Sequence, residues 1–293
     1  MKCGRHHVEN TSGFTIVEVM IVLAVTGALL ISAIGLLGRS QNRTQFQQSI
    51  NDINTQLGSV SLNVSNGYFA TTIPTDRKCS ALTGPNAKPT FAVVAPGGVP
   101  TDGSCVYLGR VVQFTDGADY FYHNVVGRRQ SGAPAREVMN MSEANPQIIE
   151  PIAALNYTTQ YPRTTEGKML KDGLRLGFIA YKEGSIWKST SGIAFMGSLA
   201  AADNNGDIAS GAQTVDVAAT VNATTRDDFI LQFDQNFGGL FSAQRNPDSG
   251  IQVCFDSGST EQRGLITIGG NGRRGTTRLD IQPGDCDAIN PIP

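Results

Sequence analysis

Few residues in this 293-residue chain are of a type and spacing that could do chemistry. Glu18 is the only charged residue in the apolar run of residues 14–38. A carboxylate at the centre of a membrane helix costs about 2.5–3.5 kcal/mol, so it calls for a cationic partner or a route to the interface. Four cysteines, Cys79, Cys105, Cys254 and Cys286, are widely spaced, and Cys3 stands apart near the start. No CxxC pair occurs, so neither a zinc site nor a thioredoxin-like motif is supported. In an exported chain the four would form two disulfides, with three connectivities open. Arg263, Arg273, Arg274 and Arg278 cluster in a glycine-rich stretch and could touch phosphate. From Asp234 onward, however, five arginines face seven acidic residues, which fits a solvated loop.

Other candidates are weaker. "ADNNGD" at 202–207 alternates Asp203, Asn205 and Asp207 as calcium loops do. Ile208 stands where such a loop needs glycine and Thr214 where it needs glutamate, so a plain turn is expected and no metal. Downstream of residue 13 the only histidine is His123, and no GxSxG, HExxH, P-loop or dinucleotide fingerprint is present. No enzymatic activity and no cofactor are therefore expected. The formal net charge is −2, which offers no general attraction for nucleic acid.

Positioning these residues requires elements of two periods. As a helix, residues 14–38 would measure about 37 Å, enough to cross a bilayer. The polar, basic "MKCGRHHVENTSG" precedes them, and its charge favours retention in the cytoplasm. A conventional signal peptide, with its shorter apolar region followed by a small-residue cleavage site, fits poorly. Past Arg39, Phe46, Ile50, Ile53, Leu57, Val60 and Val64 recur at steps of three and four, one face of an amphipathic helix. Residues 14–65 thus read as one helix, apolar all round and then striped. After residue 90 the period shortens. "CVYLGRVVQF" (105–114), "LRLGFIAYK" (174–182), "TVDVAATV" (214–221), "FILQF" (229–233), "IQVCF" (251–255), "GLITI" (264–268) and "TRLDI" (277–281) read as strands between turn residues.

The string "GFTIVEVMIVLAVTG", with a basic leader ending in glycine, an aromatic residue after it and an acid four positions further on, resembles type IV pilins and type II secretion pseudopilins. The resemblance implies cleavage by a prepilin peptidase between Gly13 and Phe14 and N-methylation of Phe14. It also supplies a partner for Glu18: the positive amine of Phe14 on a neighbouring subunit. Pairing removes two penalties at once and sets register. The alternative is an acid that merely snorkels to the interface. Gly27 matches a common family glycine, whereas Gly35 stands where many members carry proline. The two glycines read equally as points of local melting or as close-packing positions.

A second resemblance, carried by "SGIAFMGS" (191–198) and "VCFDSGSTEQRGLITIGGNGRRGTTRLDIQPG" (253–284), is to minor subunits of the FimT and GspH families. Some of those bind DNA through a glycine-arginine tail motif. The corresponding tail here, "PGDCD", lacks arginine, so DNA as a partner is left unsupported. Cys254 and Cys286 enclose the C-terminal strands as disulfides do in many pilins.

These readings imply an α+β, pilin-like fold: a long N-terminal helix, half membrane-embedded and half amphipathic, packed on a mostly antiparallel sheet. The expected parts are a leader (1–13), a transmembrane assembly helix (14–38), an amphipathic continuation (39–65) and an extracytoplasmic β-rich domain (66–293). The expected function is that of a non-enzymatic filament subunit, minor rather than major because of its size. Its partners would be other pilin or pseudopilin subunits, prepilin peptidase, an inner-membrane assembly platform, and membrane lipid before assembly. As a precursor it would sit in the cytoplasmic membrane by a single pass, and afterwards in a surface or periplasmic filament. A DNA-binding or adhesive minor pilin is the rival, and a membrane-tethered enzyme a second one.

Overall fold

The structure is a computed structural model describing residues 15–66, 77–81, 89–93, 105–115, 119–131, 136–138, 140–149, 167–170, 173–197, 214–257 and 262–292. The chain divides into two compact units, Met1–Thr44 and Gln45–Pro293. Helix α1 (Ile16–Ser65) contributes to both. Its side chains are described at 16–32 and from 41 onward.

In the first unit, Thr15 starts the helix, its hydroxyl accepting from the Glu18 N–H at 3.3 Å. The Thr26 and Ser32 hydroxyls donate back to the Val22 and Ala28 carbonyls at 2.6 and 2.9 Å. The few hydroxyls of this apolar stretch are thus satisfied along its own backbone. Every side chain described from 15 to 32 is exposed. Among the described residues, no helix is long and apolar enough to cross a membrane.

The second unit overturns the expectation of a long helix laid on one sheet. It is a sheet-dominated mixed α/β body with two antiparallel sheets. The six-stranded sheet is built from β3 (Cys105–Phe114), β4 (Asp119–Arg128), β7 (Gln147–Ile149), β8 (Gly167–Met169), β11 (Gly192–Gly197) and β12 (Val215–Ala219). Its order is β12-β11-β3-β4-β7, with β8 also on β4. The five-stranded sheet runs in the order β10 (Ile186–Ser189), β9 (Leu174–Glu183), β13 (Ile251–Ser257), β14 (Gln262–Ile268), β15 (Thr277–Pro283). Two small ribbons, β1 (Arg77–Ala81) with β2 (Pro89–Val93) and β5 (Gln130–Ser131) with β6 (Arg136–Glu137), complete the strands. The helices are the last part of α1, the single turn α2 (Met141–Ala144) and α3 (Arg226–Gln244).

The inner faces of both sheets share one core with α1. All six stripe residues, Phe46 to Val64, are buried in it. They lie among Val112, Phe114, Ile193, Phe195 and Val217 of the six-stranded sheet and Ile179, Val253, Phe255, Ile266 and Ile268 of the other. Phe114 and Phe255 meet edge to face at 5.8 Å, so the sheets touch directly. The helix thus packs against two sheets, which a period in one element cannot reveal. Tyr120 and Tyr122 reach α1 through their hydroxyls, which donate to Gln56 Oε1 at 2.6 and 3.1 Å.

"FILQF" is also corrected: residues 229–233 lie in α3, not in a strand. Thr225 caps that helix, its hydroxyl accepting from the Asp228 N–H at 3.3 Å, and Asp227 and Asp228 occupy the first turn. Phe229, Phe233, Phe237 and Phe241 follow every four residues and are buried on the outer face of the six-stranded sheet. Their successive ring centroids lie 6.2, 4.2 and 5.6 Å apart.

Strand β3, covered on both faces, carries a bulge that switches which alternate residues face which core. Its pairing with β4 slips between Tyr107 and Gly109. Val106, Leu108 and Val111 then face α3, while Val112 and Phe114 face α1, an alternation that needs one extra residue. Gly109 sits at φ 152°, with a Cβ there falling 2.1 Å from the Phe195 carbonyl oxygen, so only glycine fits.

Candidate functional site

The residues singled out by sequence lie in separate places. Gly13 and Phe14 lie outside the described residues, as do 202–207 and the side chains of Cys79 and Cys105. Glu18 is in the first turn of α1, exposed, with apolar neighbours on every side of the helix: Ile16 is 80 % exposed, Val17 65 % and Val22 56 %. Large apolar side chains in such number on one helix have a hydrophobic cost in water that only a cover removes.

Cys254 and Cys286 form a disulfide across a sequence separation of 32, with Cα atoms 5.8 Å apart. Cys254 lies in β13 and points to the outer face of the five-stranded sheet, with Phe178 and Ala180 of β9. The pairing of β13 with β9 slips opposite Gly177, and a Cβ on Gly177 would stand 2.3 Å from that of Cys286. Gly177 therefore leaves the space into which the cystine docks. The chain after Cys286 turns through a short 3-10 segment, Asp287–Ile289, and sets Ile289 and Ile292 against the same patch beside Trp187.

The four arginines do not act as one basic surface. The Arg263 guanidinium donates to the Asp285 carbonyl and to Gln282 Oε1, both at 3.1 Å, fastening β14 to the turn that follows β15. Arg274 lies in the β14–β15 turn, where it meets the buried Asp216 carboxylate at 3.6 Å. Arg273 and Arg278 are exposed.

Asp216 was not legible as a site. It sits on edge strand β12 with 3 % of its side chain exposed. Asn246 Nδ2 donates to it at 2.6 Å, and Arg245, just past α3, approaches at 3.5 Å. Asn246 in turn accepts the Val217 N–H at 2.9 Å. One carboxylate thus gathers the end of α3, an edge strand and the β14–β15 turn. A buried charge so paired is a fastening, costly to break, with no reacting group beside it. Nothing in the sequence around "TVDVAA" signals this, because its partners lie about 30 and 60 positions downstream.

His123 is buried, its Nε2 2.9 Å from Gln113 Oε1 and its ring stacked on Phe229 at 5.9 Å. Gln113 Nε2 donates to the Thr225 carbonyl at 3.2 Å, so the histidine anchors the start of α3. Among the described residues, no group of three or more His, Cys, Asp or Glu could hold a metal ion. Comparison with protein-family models, with curated proteins and with solved structures finds no match to this chain.

Proposed function

We propose that the chain is a structural, non-enzymatic subunit of a type IV pilus or type II secretion-like filament, a minor one, joined to its neighbours through the N-terminal helix. The observation that carries this reading is the exposed, all-round apolar stretch from Ile16 to Ser32 with Glu18 as its only charge. Before assembly the run 14–38 is held in the cytoplasmic membrane. After cleavage between Gly13 and Phe14, the new amine of one subunit meets Glu18 of the next, and apolar neighbours replace lipid around the helix. A carboxylate without that amine would be an uncompensated charge, so the pair favours one stagger over others. Prepilin peptidase and an inner-membrane assembly platform are the partners this requires. The DNA-binding alternative is weakened by the engagement of Arg263 and Arg274 within the fold.

Mass spectrometry of the N-terminus of protein isolated from its native cells tests the reading. An N-methylated Phe14 is expected; a chain that still begins at Met1 would overturn it. Glu18→Ala separates joint from anchor: membrane insertion should persist while incorporation into filaments fails.

A further inference from the structure

A pocket of about 320 Å³ opens where β3 ends, beside residues 176–179 of β9, the 189–191 and 222–224 segments and the C-terminal tail. That volume is at the small end of ligand sites. Its chemistry is distinctive: among the described residues, no Asp, Glu, Lys or Arg lines it. The polar lining is hydroxyl and amide, from Ser189, Thr224, Asn222 and Asn290 among others, and its partly exposed apolar residues are Leu176 and Ile292.

The lining divides into a fixed frame and a free rim. Thr190 belongs to the frame: it is buried, and its hydroxyl takes part in bonds with the Gly192, Thr220 and Val221 backbones. Ser191 is held likewise, accepting the Ala223 N–H at 2.9 Å and donating to the Val221 carbonyl at 3.1 Å. Asn222 is on the rim and exposed, its Nδ2 donating to Ser189 Oγ at 3.0 Å. That bond orients the amide and leaves its carbonyl without a protein donor among the described residues. The Thr224 hydroxyl, also exposed, has no protein partner among the described residues either. Asn290 Oδ1 accepts the Ile292 N–H at 3.1 Å, which fixes the amide on the tail side.

We infer that this pocket binds a neutral, hydroxyl-rich ligand, a saccharide of one or two rings, between the Asn222–Thr224 rim and the C-terminal tail. Paired donors and acceptors on amides and hydroxyls match sugar hydroxyls, each of which both gives and takes a hydrogen bond. Leu176 and Ile292 supply the apolar contact for the C–H face of a ring. A charged ligand would lose hydration without gaining a counter-charge from the lining, so the site discriminates against it. Ile292 and Asn290 form one wall, and their segment is tied down by the Cys254–Cys286 bond, so the tail completes the site. This rests on the second unit alone and is independent of the filament reading.

The test is saturation-transfer NMR on the full chain in a detergent without sugar head groups, with a panel of neutral mono- and disaccharides. Sialic acid and a sulfated disaccharide serve as charged controls. At least one neutral sugar should show transfer. Asn222→Ala and Thr224→Val, both at exposed positions, should each weaken its binding about fivefold, the size expected for one lost hydrogen bond. Deleting residues 288–293, which keeps the disulfide, should abolish it while the thermal midpoint moves little. The inference falls if no neutral sugar binds, if the charged controls bind as well or better, or if binding survives both substitutions and the deletion.

Discussion

The outer faces of the two sheets are covered by opposite means. Over the six-stranded sheet lies a 19-residue helix that buries four phenylalanines in a ladder. Over the five-stranded sheet lies the C-terminal tail, whose only described regular element is the three-residue turn Asp287–Ile289. The first cover holds by apolar area. The second has little area, with Trp187, Leu265, Ile289 and Ile292 only partly buried around the cystine, and it is tied covalently. A segment too short to bury its way into place needs a staple, for the same reason that small domains do.

Breaking the helical cover should cost the most. Phe233 is fully buried and stacked on both ladder neighbours, closest to Phe237 at 4.2 Å. Phe233→Ala removes a fully buried ring stacked on two others, and a loss of about 3–5 kcal/mol is expected from denaturant unfolding of the body. Breaking the covalent cover with Cys286→Ser should cost about 3–4 kcal/mol in the chain-entropy model, measured against the oxidised parent. The two losses differ in kind. The first should fall on the whole body. The second should open the tail to hydrogen exchange before the sheets, since Ile289 and Ile292 are held by few other contacts. Uniform exchange across tail and sheet in the Cys286→Ser variant would mean that the tail is part of the main core.

Buried and half-buried phenols offer a pH-dependent way to test the fold. Burial pushes the Tyr107 phenol up to about 12, offset only in part by the nearby Arg110. Tyr120 and Tyr181, both in the core between the sheets, are raised by burial as well. A raised phenol binds its proton more tightly folded than unfolded. Its contribution is complete below pH about 10, the unfolded value, and is lost as pH climbs through 12. Tyr107→Phe should leave stability at pH 8 nearly unchanged and recover about 2 kcal/mol of the alkaline loss. Equal alkaline slopes in parent and variant would show that the phenol is not held back by the fold.

The contrast between the covers also explains what the sequence disclosed. The α1 stripe was legible because an apolar repeat at steps of three and four is a local signal, and all six of its residues are buried. Strands such as 105–114 and 174–182 were legible from β-branched and aromatic runs bounded by turns. The two-sheet architecture was not, since neither period says how many surfaces a helix meets. The misreading of 229–233 has a plain cause: five residues rich in Phe, Ile and Leu suit a buried strand or helix equally. A longer window would have decided it, because Phe recurs at 229, 233, 237 and 241 behind Thr225 and two aspartates. Asp216 and the pocket rim remained hidden because their partners are assembled only by the fold.

The helix start offers the smallest and most selective break. Thr225 accepts the Asp228 N–H, and its carbonyl accepts from Gln113, which in turn meets buried His123. Thr225→Ala removes only the side-chain cap, so a loss of about 1 kcal/mol is expected. Thr225→Asp should restore most of it, because a carboxylate can cap and also faces the positive end of the helix dipole. Asp227 and Asp228 already stand there, so their repulsion sets a limit on the rescue. If Thr225→Ala costs as much as Phe233→Ala, the cover is held from its end and not along its ladder. In that case the helical cover would resemble the disulfide-held one, with a single point of attachment governing the whole segment.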